Sequence, residues 1–265
     1  MRRLMLTCVV VPVLWICSLA SAHETWIVPS RFDTKVGEEV RFDITTGTEF
    51  PAPEMVVKPE RIAKSGWRLG QQPGEVAEFR EGDKSLIVTQ AFPQPGVATV
   101  WVALKPREID LADDKVVEYL DEIGATDELR KTWQARKGQG IWKESYAKHA
   151  KTFVAVGEPA GDESWGTPVG MQLELLPVSN PFAARTGQKF SVRILREGKP
   201  LPRWPIGLVV QGQTKRQFET SDADGKVTFT LRHAGDALLF AVHLRPQGEG
   251  SRWQSDFTTL TLKVR

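Results

Sequence analysis

Apolar residues recur at every second position in short runs along most of this chain. Val40, Phe42 and Ile44 alternate with polar neighbours, as a strand buried on one face requires. Trp26 and Val28 share one side of an earlier run that Pro29 ends, with Thr25 and Ile27 on the other. Further strands are expected near residues 55–58, 85–92 and 96–104, between turns bearing Pro and Gly, which together predict an antiparallel sandwich. The device returns in the second half with Met171, Leu173 and Leu175, then Phe190, Val192 and Ile194, then Val227, Phe229 and Leu231, and finally Leu260, Leu262 and Val264. Glu197-Gly198-Lys199-Pro200 and Ser221-Asp222-Ala223-Asp224-Gly225 supply turns between them. About seven short strands in roughly 95 residues is an immunoglobulin-like pattern. Asp222-x-Asp224-Gly225 is not a calcium loop, because Leu231 stands where the bidentate Glu is needed; it reads as a hairpin turn.

The period changes after Pro106. Val116, Val117, Leu120 and Ile123 fall at helical spacing, Gly124 is placed to stop that helix, and Thr126-Asp127-Glu128 opens another whose buried stripe is Leu129 and Trp133. Gly138-x-Gly140 ends it, and a third amphipathic helix is expected from Trp142 to about Lys151, carrying Tyr146 and His149. The chain therefore divides into a leader over 1–22, an N-terminal β domain over 23–106, a helical insertion over 107–151, a returning strand and linker over 152–168, and an immunoglobulin-like β-sandwich over 169–265. The fold class is mainly β, two antiparallel sandwiches with a helical insertion in or after the first.

The leader changes how the composition is read. Arg2 and Arg3 precede a mostly apolar stretch over 4–19, and Ala20-x-Ala22 has the small residues of a signal-peptidase site. Removing it takes Lys+Arg from 35 to 33, equal to the 33 Asp+Glu, so no nucleic-acid partner is implied. Both cysteines, Cys8 and Cys17, leave with it. The exported chain then has neither disulfides nor thiolate metal sites, and any metal has to be held by nitrogen and oxygen. No other stretch approaches the roughly 20 apolar residues of a membrane span, so none is expected after cleavage, and the expected location is the periplasm.

Cleavage after Ala22 makes His23 the first residue. The α-amine and imidazole Nδ1 of one terminal histidine close a chelate ring, and a second imidazole completes a T-shaped set of three nitrogens suited to Cu(II) or Ni(II). Cleavage after Ala20 instead leaves histidine third from the amine, an arrangement that also wraps such ions. The bland alternative is a frayed, solvated terminus.

Ala22-His23-Glu24-Thr25-Trp26-Ile27-Val28-Pro29, Tyr146-x-x-x-x-Lys151, and Gly170-Met171-Gln172-Leu173-Glu174-Leu175-Leu176-Pro177-x-x-Asn180-Pro181 carry a family resemblance, as do Gly198-Lys199-Pro200-Leu201 and Thr220-x-Asp222-x-x-Gly225. They resemble the exported bacterial domain-of-unknown-function proteins often described as the periplasmic component of nickel/cobalt transport systems. The resemblance spans residues 22 to 265 and departs after Gly235, where the family tends to show a tryptophan and this chain has Asp236 and Ala237. It implies a periplasmic protein that handles a divalent transition metal, and no established reaction; with the chemistry of a terminal histidine the candidate ions are Ni, Co or Cu, and an inner-membrane metal transporter is the candidate partner.

Three histidines remain as partners for His23. His243 lies on the mixed, odd-numbered side of Leu238–Arg245, away from the apolar even positions, and the resemblance, with histidine commonly closing this strand, favours it. His149 is flanked by Lys148 and, two residues on, Lys151, and reads as a solvated helix position with metal ligation as the minority reading. His233 reads as a turn residue. Of the nine tryptophans, Trp101 and Trp204 read as core; Trp26, Trp142, Trp165 and Trp253 lie near termini, turns or polar runs, but no regular spacing makes them a platform, and core or edge packing is the default. The leading function is non-catalytic metal capture at His23, with His243 and His149 as further candidate ligands. The alternatives are a copper oxidoreductase with a histidine-brace site and a metal-free structural or adhesive sandwich.

Overall fold

The alternating runs pair as strands throughout the computed structural model, which describes residues 23–159 and 161–265; the leader expected over 1–22 lies outside them. Strands β1 (Glu24–Pro29), β2 (Glu39–Gly47), β3 (Ile62–Leu69), β4 (Leu86–Ala91), β5 (Gly96–Leu104) and β6 (Arg107–Leu111) precede helices α1 (Asp113–Glu122) and α2 (Asp127–Arg136). There follow β7 (Trp142–Val156), β8 (Leu173–Pro177), β9 (Lys189–Arg196), β10 (Pro205–Val210), β11 (Gln217–Thr220), β12 (Lys226–Thr230), β13 (Gly235–Pro246) and β14 (Arg252–Val264). The protein is mainly β and its sheets are largely antiparallel. Ile62–Leu69 is a strand that the residue pattern did not disclose, because Lys64, Ser65 and Gly66 interrupt its alternation.

Among the described residues one sheet of ten strands runs through the molecule, with β11-β10-β13-β14-β7-β5-β3 in order. Its middle is a parallel pairing of β7 with β14, in register from Lys143 opposite Arg252 to Thr152 opposite Thr261. Since side chains alternate across a strand, the sheet has two distinct faces. On the first face sits the sheet β1-β2-β4, whose Ile27, Phe42, Ile44 and Val88 pack on Ala98, Val100 and Val154. Beside it on the same face lie α1 and α2, with Leu120, Leu129 and Trp133 packed on Val242, Leu244 and Phe257. The sheet of β8, β9 and β12 covers the second face, where Leu175, Val192 and Phe229 meet Leu208, Leu239 and Leu260.

The helix signals are used as read. Thr126 accepts the N–H of Leu129 at 3.2 Å as the N-cap of α2, and Gly124 takes φ +62° after α1, a conformation that suits glycine. Asp222 accepts the N–H groups of Asp224 and Lys226 at 2.9 and 2.8 Å, closing the expected turn.

The third helix is overturned: Trp142–Lys151 is the first part of β7. Glu144 and Lys148 point to the first face and His149 and Lys151 to the second, and all four are buried. Polar residues buried on both sides erase the period-two signature, and the partner that makes this segment a strand is β14, 110 positions away in sequence. Residues 162–168, expected as linker, are pinned to the sheets. Asp162 accepts the N–H of Val97 at 2.7 Å, and Arg68 donates to the carbonyls of Ser164, Thr167 and Pro168. Trp26, Trp142, Trp165 and Trp253 are buried, and Trp101 and Trp204, expected in the core, are half-buried. Trp142 and Trp253 stack 4.3 Å apart beneath the helices, in the cluster that seats α1 and α2.

Candidate functional site

His23 immediately precedes β1, and that strand is anything but frayed. Glu24, Thr25 and Trp26 are buried, β1 pairs with β2 from Glu24 opposite Gly47 onward, and the hydroxyls of Thr259 and Thr261 donate to the carbonyls of Thr25 and Ile27 at 2.6 and 2.5 Å. Lys148 donates to the His23 carbonyl. Burial lowers the Lys148 ammonium to about 8, with the charges of Arg61 and Arg107 acting in the same direction and Glu24 against it. His23 itself is half-buried.

Glu54 lies within electrostatic reach of His23. Its partial burial acts to raise its carboxyl, but the N–H groups of Glu49 and Thr48, the Thr48 hydroxyl and the charge of His23 outweigh this and hold it below its ordinary value. The two N–H bonds are 2.6 and 2.7 Å long. The Glu54 carboxylate is thus held ionised within electrostatic reach of the His23 imidazole. They are nitrogen and oxygen donors. Among the described residues no group of three or more His, Cys, Asp or Glu side chains is arranged to hold a metal ion.

His149 and His243 are not beside it. Lys148, bonded to the His23 carbonyl, faces the first side of the central sheet, and its neighbour His149 therefore faces the second. His243 pairs with Asp256, and His149 with Thr258, two residues on. Hence His243, Asp256 and His149 share the second face, with the sheet between them and His23. The view of His149 as a solvated helix residue is corrected, since it is a strand residue 6% exposed. Neither of its ring nitrogens has a partner among the described residues, and burial lowers its pKa despite the charges of Asp256 and Glu174.

His243 does not point away from the apolar layer as its parity suggested. β13 is covered on both sides, and the odd positions Leu239 and Ala241 belong to the largest core cluster. The ring lies 4.7 Å from that of Trp204, and its Nδ1 is 3.2 Å from the guanidinium of Arg245, which also bridges to Asp256 at 2.8 Å. Burial, with Arg196 and Arg245 adding to it against Asp256, lowers its pKa to about 4. A neutral imidazole in a packed seam is what results.

Next to His23, on the first face, a cleft of about 530 Å³ opens between β1, the loop over 48–52 and strands β10 and β13. Trp26, Phe50, Val209, Leu238 and Phe240 form its apolar walls, and Glu24 with Arg216 forms its charged end. Arg216 donates to both carboxylate oxygens of Glu24, at 2.5 and 3.1 Å, and to the carbonyl of Glu122 at 3.2 Å. Its guanidinium carbon stands 4.7 Å from the centre of the Phe240 ring. Burial raises the Glu24 carboxyl against the opposing pull of Arg216. Reading the sequence missed this cleft: Arg216 lies 192 residues from Glu24 in an unremarkable polar segment, and no local spacing relates them.

The profile of a family described as a domain of unknown function, DUF4198, matches residues 20–245. No curated protein matches the chain. Among solved structures it is similar to fibronectin(III)-like modules of Clostridium thermocellum CbhA, at 8% identity over 90% of this chain and 94% of that one, with a TM-score of 0.20. The D0-D1 domain of intimin matches at 9% identity over 89% and 97% of the two chains, TM-score 0.21. The Yersinia pseudotuberculosis adhesin InvE matches at 13% identity over 90% and 58%, TM-score 0.24. No helix among the described residues is long and apolar enough to cross a membrane.

Proposed function

Since the chain belongs to the DUF4198 family of unknown function, we propose its role from its own residues: a periplasmic module that captures a divalent transition ion at its amino-terminal histidine and hands it to a membrane uptake or homeostasis system. One observation carries this reading. His23 is held at the head of a buried strand, by Lys148 on its carbonyl, with the ionised Glu54 at hand. In a chain that starts at His23, amine and imidazole supply two nitrogens and Glu54 an oxygen, a donor set that suits Ni(II), Co(II) or Cu(II). The bound ion supplies cargo or redox chemistry according to its identity. The chain's residues fix the terminus, keep the carboxylate ionised and limit the ligands to nitrogen and oxygen. His243 and His149 take no part in this version of the site, because they lie across the central sheet.

The test compares the chain starting at His23 with one bearing an additional Met or Gly before it. The added residue turns the amine into an amide and breaks the chelate ring, while β1 keeps its pairing. Titration with Cu(II), Ni(II) and Co(II) is expected to lose at least tenfold in affinity for the extended chain, with unchanged thermal unfolding. Equal affinity would remove the amine as a ligand.

A structural or adhesive sandwich is the second reading, favoured by the burial of His243 and His149 inside the layers. It predicts no stoichiometric metal binding by either chain, so the same titration decides between the two.

A further inference from the structure

We infer that the cleft between β1 and strands β10 and β13 is a binding site for a small organic monocarboxylate with an apolar, ring-sized body. This is independent of the metal reading at His23. The cleft volume, about 530 Å³, falls in the range of roughly 300–1,000 Å³ typical of small-molecule sites. Its walls select for apolar matter. Trp26 and Phe50 meet edge to face with centroids 5.6 Å apart, and Leu238 and Val209 continue that surface. A ligand with an apolar body buries it against these walls, whereas hydroxyls placed there would lose their water without a partner; the polar lining, Thr48, Glu49, Gln213 and Thr214 with Glu24 and Arg216, is separate from them.

Two groups favour a ligand that carries a hydrogen-bond acceptor. Trp26 lines the cleft, is 1% exposed, and its indole N–H has no acceptor among the described residues; buried donors are rarely left so without a role. Arg216 is the second. Its bonds to Glu24 and to the Glu122 carbonyl use both hydrogens on Nη1 and one on Nη2. The Nε–H and the outer Nη2–H, the side edge of the planar fork, are engaged by none of the described residues. That edge matches a carboxylate through two parallel bonds.

The charges also favour an anion over a cation. The Glu24 carboxylate is only 2% exposed and turned onto Arg216, so an incoming cation meets the guanidinium first. Lys148 adds a second positive charge beside Glu24. Glu49 lines the rim, but it is exposed and solvated.

The probe is 3-phenylpropionate, with 3-phenylpropionamide and phenethylamine as its neutral and cationic counterparts, added to the folded chain without metal. The readout is the indole N–H resonance of Trp26, identified by its disappearance in Trp26→Phe, with calorimetry for affinity. A saturable shift of that resonance by the carboxylate is expected, with binding at least tenfold tighter than for the amide and no saturation by the amine. Val209→Phe, which fills the cleft, is expected to abolish the shift. The double variant Glu24→Gln/Arg216→Gln, which removes both partners of the ion pair together, should fold and bind carboxylate and amide alike. The inference is overturned by the absence of a saturable shift with the carboxylate up to about 10 mM, by tighter binding of the amine, by full binding in Val209→Phe, or by a carboxylate preference that survives in the double variant.

Discussion

Lys151 on β7 and Glu174 on β8 form an ion pair 2.7 Å long with both side chains almost wholly buried, at 1% and 2% exposure. The pair ties the central sheet to the sheet covering its second face. Glu174 also accepts the N–H groups of Val169, Gly170 and Met171 at 2.9, 3.0 and 3.2 Å, and so anchors the approach to β8. Burial pushes its carboxyl up, but Lys151 and those N–H groups outweigh burial and hold it below the ordinary carboxylate value. Removing one partner strands a buried charge, so Glu174→Ala is expected to cost about 3–5 kcal/mol. Urea unfolding measures it, and a loss under about 1 kcal/mol would mean that the seam rearranges around the vacancy. The double variant Lys151→Met/Glu174→Gln is expected to lose less than Glu174→Ala.

The histidines of the second face set a pH dependence of stability. An unfolded histidine titrates near 6.5, whereas His243 in the fold is lowered to about 4, and His149 is lowered as well. As pH falls through 6.5 the unfolded chain takes up protons that the folded chain refuses, so stability is intact above about pH 6.5 and declines toward pH 4. His243→Asn should flatten that decline. Unfolding free energies for both proteins at pH 7, 5.5 and 4.5 test this; parallel curves would show that His243 contributes nothing to the slope.

Gly207 is a packing requirement rather than a turn. A Cβ at this position would lie 2.1 Å from the Phe240 ring, which carries Arg216 on its face. Gly207→Ala should displace the ring and destabilise the fold by about 1–3 kcal/mol through overpacking. Thermal unfolding of the variant checks this, and an unchanged midpoint would place the ring elsewhere in solution.

On the proposed metal site at His23, Glu54→Gln is expected to lower Cu(II) or Ni(II) affinity about tenfold, equivalent to about 1.4 kcal/mol, while His243→Ala leaves it unchanged. Binding should also weaken below neutral pH, because amine and imidazole must give up protons to bind. Metal titration of the two variants at pH 7.5 decides the assignment. A larger loss for His243→Ala would contradict the placement of the site on the first face.

The local sequence determined whatever depends on neighbours in the chain. Alternating apolar positions made Glu39–Gly47, Lys189–Arg196 and Lys226–Thr230 strands, Thr126 and Gly124 bounded the helices, and Asp222 built its turn, each through atoms a few residues apart. Only the tertiary structure decided that Trp142–Val156 extends as a strand, because β14 is what satisfies its backbone. It also decided that His243 and His149 are packed between layers, since parity separates the two faces of a strand without saying which of them meets another sheet. The distance between His23 and the other histidines was fixed in the same way: Lys148 and His149 are consecutive residues, and a strand sends them to opposite sides of the sheet. Arg216 reaches Glu24 because β10 and β11 carry it past β1, a relation between segments 192 residues apart that no spacing within either segment encodes.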